Sequence, residues 1–314
     1  MKILLISNSN SPKRKIADEF EDLGHEVDVF LCRPYARGGL RRKLTEKMPG
    51  YTRVAKKISK VFVNRNLEDK ISEFKPDLII GDKAEMIYSE TLEKSDAEKL
   101  LWFPDDPQLH GLGKELSKGY DKVLTNSKCV LESYDTDSHL LPFPMADEEL
   151  YGDRKKKYDI CFIGRCDEKR ERYMKVAVDN FEDVFIGGPE WDESIEGAEV
   201  ENRWISQEEM IEKYEESRII INIAKTREHV THRIFEAGAA DSVVLTERLS
   251  GLREFYSEDE MPCFEDPREM LEITENILAE PKLSKKYRSN SRKKTKSKFN
   301  KERISEKILN YSTR

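Results

Sequence analysis

The chain has 314 residues, which is enough for two domains of ordinary size. Hydrophobic residues make up 37% of it and charged residues another 37%, a balance that predicts compact cores beneath a heavily charged surface and excludes a disordered chain. No stretch approaches the roughly 20 apolar residues of a membrane span, and the first residues lack a signal-peptide pattern. The sequence therefore predicts a cytoplasmic protein whose contact with a membrane would be peripheral, on its inner face.

The five cysteines are scattered, without the paired spacing of zinc ligands. Their odd number and lack of pattern indicate reduced thiols in a cytosolic protein. We therefore expect neither a disulfide framework nor a bound metal. The cysteines are Cys32, Cys129, Cys161, Cys166 and Cys263.

The net charge is −7, but basic residues are concentrated in two stretches, 33–70 and 282–307. A basic face on an acidic protein indicates an anionic partner at one surface. Nucleic acid is disfavoured as that partner, because the basic patches lack interleaved stacking aromatics.

Short apolar runs alternate with helical patterns through the first half. KILLIS, residues 2–7, predicts a buried strand, and apolar positions within 11–23 share one helix face before Gly24 ends that helix. Further strands are expected at 26–32, 77–81, 100–103, 122–125 and 139–143. The charged stretch 147–157 contains few apolar residues, and we interpret it as the linker.

The same alternation starts again after the linker. Strands are predicted at 158–164, 183–187, 218–224 and 243–246, and helices at 168–180, 206–217 and 232–240. Ser206 and Glu209 have the spacing of a capping box, and basic helices follow from about residue 281. This pattern predicts an α/β protein with two Rossmann-like, doubly wound parallel sheets facing across a cleft. We expect one domain at 1–150 and a second at 151–314, whose last helices pack back toward the first domain.

Two glutamates, Glu228 and Glu236, flank the predicted start of the helix at 232–240. The second lies in the run Arg233 to Ala237, and Gly-Leu-Arg-Glu-Phe follows at 251–255. This arrangement resembles the GT-B glycosyltransferases of family 4, and in particular the subgroup related to spore maturation protein B. Asp241 departs from the pattern, because a glycine is usual there, and this puts the local turn geometry in question.

The resemblance implies a role for each of these residues. Glu236 would accept hydrogen bonds from a ribose diol, and Glu228 would hold hydroxyls of the transferred sugar. The amides of Thr231, His232 and Arg233 lie at a helix N-terminus, where unpaired N–H groups and the helix dipole favour a phosphate. Two solvated acids on an amphipathic helix remain the alternative interpretation of Glu228 and Glu236.

A basic cluster follows the first strand of the second half. Gly164 allows a tight turn, and Arg165, Lys169 and Arg170 come after it. In the family that the chain resembles, residues at these positions neutralise the donor diphosphate as negative charge develops on it. The alternative is that the three cations only solvate the start of a helix.

The first half contains Trp-Phe-Pro-Asp-Asp-Pro at 102–107, a motif that the same subgroup shares. Asp106 is the candidate for contact with a sugar, and His110 is its candidate partner; an ordinary turn is the alternative. Weaker candidates are Ser7 to Asn10 at the acceptor side, which the resemblance assigns to the first domain, and Arg203 and Trp204 beside the nucleotide base. A core tryptophan is the alternative interpretation of Trp204.

The sequence thus predicts a hexosyltransferase-type enzyme that moves a sugar from a nucleoside diphosphate sugar to an acceptor hydroxyl. The resemblance implies a retaining, metal-independent reaction in which the nucleotide-sugar is substrate and no cofactor is needed.

The basic segment 38–60 is amphipathic and fits an anionic membrane surface, hence a lipid-linked acceptor; a plain carbohydrate acceptor and a merely solvated helix remain open. The competing functions are a sugar-nucleotide epimerase and a non-catalytic envelope or maturation factor. A dinucleotide oxidoreductase is excluded, because no G-x-G-x-x-G follows either opening strand.

Overall fold

The computed structural model describes residues 1–8, 15–32, 51–104, 110–228 and 230–312. The chain forms two compact units. Unit 1 comprises Met1–Leu141 together with Ser305–Arg314, and unit 2 comprises Pro142–Ile304. The division after residue 141 comes earlier in the chain than the expected boundary at 150, and the last ten residues belong to unit 1.

The core of unit 1 is a six-stranded sheet in which all neighbouring strands are parallel. Its strands are β1 (Lys2–Ser7), β2 (Glu26–Leu31), β3 (Leu78–Asp82), β4 (Glu98–Trp102), β5 (Lys122–Thr125) and β6 (Asp137–Leu140). The strand order is β2-β1-β3-β4-β5-β6. The central strands β1 and β3 are almost wholly buried, which explains why their sequences are continuous apolar runs.

Helices cover this sheet. They are α1 (Lys15–Asp22), α2 (Tyr51–Phe74), α3 (Ser89–Leu92) and α4 (His110–Ser117). Val63, Leu67 and Ile71 place the apolar stripe of α2 against the sheet at helical spacing. Of the basic segment 38–60, residues 51–60 lie in this helix, and the remainder lies outside the described residues.

Unit 2 has a second six-stranded, all-parallel sheet. Its strands are β7 (Tyr158–Ile163), β8 (Val184–Gly187), β9 (Ala198–Glu201), β10 (Ser217–Asn222), β11 (Val243–Glu247) and β12 (Cys263–Phe264). The strand order is β12-β11-β10-β7-β8-β9. The strands β8 and β9 are added on one side of β7, whereas β10, β11 and β12 are added on the other side. This is the doubly wound Rossmann order, and its switch point lies between β7 and β10.

Helices flank the sheet of unit 2, and some of them begin with a side-chain cap. They are α5 (Glu168–Asn180), α6 (Gln207–Glu215), α7 (His232–Ala239), α8 (Pro267–Ala279), α9 (Pro281–Lys298) and α10 (Lys301–Ser312), the last of which ends in unit 1. Asp167 caps α5, Asp266 caps α8, and Ser206 and Glu209 form the predicted capping box of α6.

The predicted fold class is confirmed: each unit is a doubly wound parallel sheet with flanking helices. The strands β9 and β12 were not predicted. Among the described residues, no helix is both long enough and apolar enough to span a lipid bilayer.

The stretch 147–157, predicted as a linker, is built into unit 2. Tyr151 is buried there, and its hydroxyl donates to the Glu236 carbonyl at 3.1 Å. Lys156 Nζ donates to the carbonyls of Glu215 and Asp241 at 2.8 and 2.6 Å. A charged, apolar-poor stretch can pack in this way because its side chains bind backbone carbonyls at the end of an element.

Candidate functional site

The candidate site lies at the switch point of the unit 2 sheet, where the loops after β7 and β10 diverge. In open parallel sheets, ligands bind beyond the carboxyl ends of the strands at this position. Gly164 and Arg165 follow β7, and the segment 223–231 leads from β10 into α7. The predicted donor-binding residues therefore belong to loops and helix starts at one edge of one sheet.

Hydrogen bonds to the end of β8 and to the loop that follows it hold the turn after β7. Gly164 N–H donates to the Gly187 carbonyl at 2.8 Å, and Trp191 Nε1 donates to the Gly164 carbonyl at 2.7 Å. Gly188 has φ +129, and a Cβ on it would lie 2.3 Å from the Gly164 oxygen. Glycine is thus required at 188 by both backbone conformation and space.

Two guanidinium groups meet the backbone at the switch point. Arg170 is buried, and it donates to the carbonyls of Ile223 at 3.1 Å and Arg165 at 3.0 Å. Arg233 Nη1 donates to the Ile163 carbonyl at 2.6 Å. Burial lowers the pKa of Arg170, and the positive charge of Arg233 adds to that shift. The arrangement concentrates positive charge between the two loops.

Arg165 is exposed, unlike Arg170. Its guanidinium forms a 2.9 Å ion pair with Glu190 and lies 5.7 Å from the ring centre of Trp204. Trp204 is itself 74% exposed, so the sequence alternative of a core tryptophan is wrong. Exposed ion pairs contribute about 0–1 kcal/mol, so an incoming anion can displace Glu190 at little cost. Arg203 forms ion pairs with Glu201 and Glu209.

Lys169 is engaged within the protein. Its Nζ donates to the Ala224 carbonyl at 2.9 Å and to Glu247 Oε2 at 2.8 Å. Lys169 and Arg170 therefore fix the two loops to each other. Direct contact of either side chain with a diphosphate stays a prediction.

The start of α7 has an unusual cap. Thr231 occupies the N-cap position but makes no side-chain cap bond, and its buried Oγ1 finds no hydrogen-bond partner among the described residues. His232 is half-exposed, and the ring of Phe143 meets it edge-on with centroids 5.8 Å apart. Buried hydroxyls are usually paired, so this hydroxyl at a helix N-terminus is a candidate ligand-binding group.

Glu236 is 3% exposed in the second turn of the same helix. Its Oε1 accepts from Gln207 Nε2 at 2.5 Å, whereas the buried Oε2 has no hydrogen-bond partner within the described ranges. His232 Nε2 lies 3.8 Å from that oxygen. The carboxylate charge and burial together raise the pKa of Tyr151, with burial the larger cause. The predicted alternative of a solvated acid is therefore wrong for Glu236.

Glu228 lies in the segment between β10 and α7 and is exposed. Its neighbour His229 lies outside the described residues, and so do Asp106, Ser9 and Asn10. His110 begins α4, but its side chain is outside the described part of the chain.

At the end of β1, Ser7 Oγ donates to Asp82 Oδ2 at 3.0 Å. This buried bond gives Ser7 a structural partner within unit 1. Asn8 follows the strand directly and is partly buried.

Asp241 replaces the usual glycine without strain. It is not among the described residues with positive φ, and its carboxylate forms ion pairs with Arg288 and Arg292 of α9. The turn that the sequence left in question therefore does not need a glycine. The aspartate at this position instead binds the basic helix α9.

Three residues of the site were not predicted: Gln207, Glu247 and Tyr151. Gln207 is the first residue of α6, directly after the N-cap that the sequence did identify. Glu247 directly follows the predicted strand at 243–246 and ends the observed β11, so its place at the carboxyl edge of the sheet was the available signal. Within the described ranges, no three His, Cys, Asp or Glu side chains are grouped as metal ligands would be.

Solved structures with this architecture span the whole chain. The sucrose-phosphate synthase of Thermosynechococcus elongatus superimposes with a TM-score of 0.70 over 99% of this chain and 98% of its own, at 14% identity. Anabaena HepE, solved in complex with UDP and glucose, gives 0.68 over 100% and 99%, at 12% identity. A glycosyltransferase from Rickettsia africae gives 0.67 over 99% and 97%, at 14% identity. The chain has the GT-B fold.

Sequence similarity within this GT-B chain is concentrated in unit 2. Residues 169–310, somewhat under half of the chain, match the sequence model of a family described as glycosyl transferase-like. No curated protein matches the chain in sequence. The matched range includes Lys169, Arg170 and the whole of α7, but begins after Gly164 and Arg165.

Proposed function

We propose that the protein is a glycosyltransferase that moves a sugar from a nucleoside diphosphate sugar to an acceptor hydroxyl. The observation that carries this proposal is a pair of buried oxygens at one short helix of the switch point, Thr231 Oγ1 and Glu236 Oε2, for which the described residues supply no hydrogen-bond partner. A hydroxyl and a carboxylate of this kind fit a phosphate oxygen and a ribose hydroxyl. The glycosyl transferase-like match over residues 169–310 supports the same conclusion.

In this proposal the diphosphate lies against the first amides of α7, where unpaired N–H groups and the helix dipole favour an anion. Arg233, which uses one donor on Ile163, and the exposed Arg165 supply positive charge. During transfer, the bond between the anomeric carbon and the diphosphate oxygen breaks. Its electron pair leaves with the nucleoside diphosphate, and the acceptor oxygen bonds to the carbon and releases its proton. Fixed positive charge stabilises the leaving group.

The remaining donor contacts follow the resemblance. Glu228 is proposed to hold hydroxyls of the transferred hexose, and Glu236 the ribose. The exposed Trp204, with Arg165 beside it, offers a flat surface for the nucleotide base. A retaining, metal-independent reaction and a place in the spore maturation protein B-like subgroup of family 4 rest on motif resemblance alone.

The acceptor side is proposed from unit 1. Asp106 and His110 are its candidates, on the strength of the shared motif. An anionic membrane surface is a proposed contact of α2, because Ile58, Val61 and Phe62 are 45%, 57% and 51% exposed beside basic residues. A lipid-linked acceptor and a cytoplasmic, membrane-peripheral location would follow from that contact. A plain carbohydrate acceptor requires no such surface.

A thermal-shift assay followed by a transfer assay tests the proposal. UDP, GDP, UDP-glucose and GDP-glucose are added at increasing concentration, and a ligand at one hundred times its dissociation constant should stabilise the protein by about 2.7 kcal/mol. Asp106→Ala should keep the thermal shift but lose transfer to a carbohydrate acceptor. Stabilisation by nucleotide-sugars without turnover would favour the non-catalytic factor, whereas isomerisation of the sugar would favour the epimerase. No stabilisation by any of the four would contradict a donor site for these nucleotides.

A further inference from the structure

Glu247, a buried carboxylate outside the predicted site, contacts both loops of the switch point. It ends β11 and is fully buried. Its Oε2 accepts from Lys169 Nζ at 2.8 Å and from the Ala224 N–H at 3.0 Å. Its Oε1 accepts from Arg227 Nε at 3.2 Å. Both oxygens are thus used within the protein, which excludes Glu247 as a direct ligand-binding group.

The Ala224 peptide is held on both sides. Glu247 accepts from its N–H, and Lys169 Nζ donates to its carbonyl at 2.9 Å. Lys169 is in the first turn of α5, the helix that follows the Gly164 turn. The beginning of the segment after β10 is therefore fixed to the loop after β7 through one buried ion pair.

Arg227 holds the other end of this segment. Besides Glu247, its guanidinium forms a 2.8 Å ion pair with Glu265, and its carbonyl accepts from the Ser250 N–H at 2.7 Å. Glu228 follows Arg227 directly in the chain. Residues 224–227 are consequently anchored at both ends, and Glu247 is common to both anchors.

We propose that Glu247 is a positioning residue that holds residues 224–228 so that Glu228 meets the transferred sugar. This inference rests on the proposed function. It divides the donor site in two: α7 and its neighbours bind the nucleoside diphosphate, whereas the anchored segment binds the sugar. Glu247 serves only the second part.

Glu247→Gln keeps the shape of the side chain but removes its charge, and the new amide group has to present N–H donors toward Lys169 or Arg227. Hydrogen bonds to charged groups are strong enough for their loss to cost about tenfold in a binding or rate constant. We expect KM for UDP-glucose to rise and kcat to fall, each by about tenfold. The affinity for UDP should change by less than about twofold, because no contact of α7 is altered.

Glu265→Gln is the matched comparison, because Glu265 pairs with the same Arg227 from the half-exposed side. An exposed ion pair contributes about 0–1 kcal/mol, so this variant should change kcat and KM much less than Glu247→Gln does and leave UDP affinity near the wild-type value. Arg227→Gln removes the half-exposed partner of the ion pair instead of the buried one. This variant replaces Glu247→Gln in the test if Glu247→Gln fails to fold. It should give a smaller loss with the same pattern, in which sugar binding is weakened and UDP binding is kept.

Amide hydrogen exchange of Ala224 tests the anchoring without any donor. Exchange should be faster in Glu247→Gln than in the wild type and unchanged in Glu265→Gln. Unchanged exchange in Glu247→Gln would overturn the inference, as would equal losses of UDP and UDP-glucose affinity. A wild type with protected Ala224 but no nucleotide binding or transfer would instead overturn the proposed function.

Discussion

The Glu236 carboxylate is buried with one oxygen bound to Gln207 and the other without a hydrogen-bond partner in the described structure. A buried carboxylate oxygen without a donor lowers the stability of a fold, so a hydrogen bond from a ligand would be favourable there. A ribose hydroxyl that donates to Oε2 would supply that bond. The same reasoning applies to Thr231 Oγ1, one turn earlier on the helix.

Glu236→Gln should weaken donor binding without weakening the fold. The loss of a charge-assisted hydrogen bond costs about 1.5–3 kcal/mol, so the UDP dissociation constant should rise about 10- to 100-fold. The melting temperature should stay the same or rise, because a buried negative charge is removed while the amide oxygen of the glutamine can still accept from Gln207. Calorimetric titration and thermal unfolding measure the two effects.

Glu215→Gln is the control for this prediction. Glu215 is also buried on α6 and also has one carboxylate oxygen without a hydrogen-bond partner in the described chain. Burial raises the pKa of Glu215, so its neutral replacement should likewise be tolerated. Its UDP affinity should be unchanged. Equal loss of affinity in both variants would mean that burial alone, and not ligand contact, explains Glu236.

Thr231→Val should lower UDP affinity about tenfold while leaving the free energy of unfolding nearly unchanged, because no cap bond is lost. Ser206→Ala should do the opposite. Ser206 Oγ accepts from the Glu209 N–H at 3.1 Å, and loss of such a cap costs about 0.5–2 kcal/mol of stability. Urea unfolding and UDP titration of both variants test the contrast. A large stability loss in Thr231→Val would show that its hydroxyl serves the fold.

At the scale of elements, the sequence predicts four of the six strands of unit 2 and the capping box of α6, because local signals determine them. The helix at 168–180 and the Ser206–Glu209 capping box were predicted from sequence and are observed. The strands β9 and β12 were missed, since β9 is a partly buried edge strand that alternates apolar and acidic residues, and β12 has only two residues. Pairing with a neighbouring strand creates them, and a single sequence does not reveal that pairing.

The capping box also gives α6 a pH dependence. The hydrogen bond from Arg203, followed by that from the Ser206 N–H, lowers the pKa of Glu209 from 4.5 to about 2. Because the folded pKa is depressed, this group stabilises the fold above pH 4.5 and loses that contribution as the pH falls toward 2. Glu209→Gln should therefore destabilise the protein more at pH 6 than at pH 3, as measured by urea unfolding. Glu208→Gln, next to it but outside the capping box, should show no such difference.

At the scale of the whole molecule, two doubly wound sheets follow from the alternation of strands and helices along the sequence. The assignment of residues 305–314 to unit 1 cannot be predicted from that alternation, because it depends on long-range contacts. Tyr311 stacks on His139 with ring centroids 4.5 Å apart, and its hydroxyl donates to the Leu140 carbonyl at 3.4 Å. The carbonyl of Tyr311 accepts from Lys122 Nζ at 2.5 Å. None of these three contacts has a signature in the local sequence.

The sequence predicts which motifs form the candidate site, but not which of their side chains are buried, because burial depends on long-range contacts. Motif position identified Glu236 and Arg233, but it could not distinguish the exposed Arg165 from the buried Arg170, because burial depends on the fold of both loops. Glu247 was missed because its partners lie about 20 residues or more away in sequence. A buried ion pair between distant segments is visible only in the folded chain.

Tyr311→Ala should destabilise unit 1 by about 1 kcal/mol, because it removes an aromatic stacking contact. Hydrogen exchange should accelerate at β5 and β6, while the UDP affinity of unit 2 stays at the wild-type value. Tyr311→Phe keeps the ring and should restore most of the protection. A loss of UDP affinity in Tyr311→Ala with unchanged exchange at β5 and β6 would contradict this assignment.

The backbone amide NMR spectrum of the deuterated protein, recorded during a titration with UDP, tests the donor site most directly. We predict that the largest shifts occur at Thr231, His232 and Arg233, with further shifts at Gly164 and Arg165, and that Glu236→Gln reduces them all at a given UDP concentration. Shifts confined to other parts of the chain, or saturation of the same shifts at equal UDP concentration in Glu236→Gln, would contradict the proposed binding of the diphosphate at the start of α7.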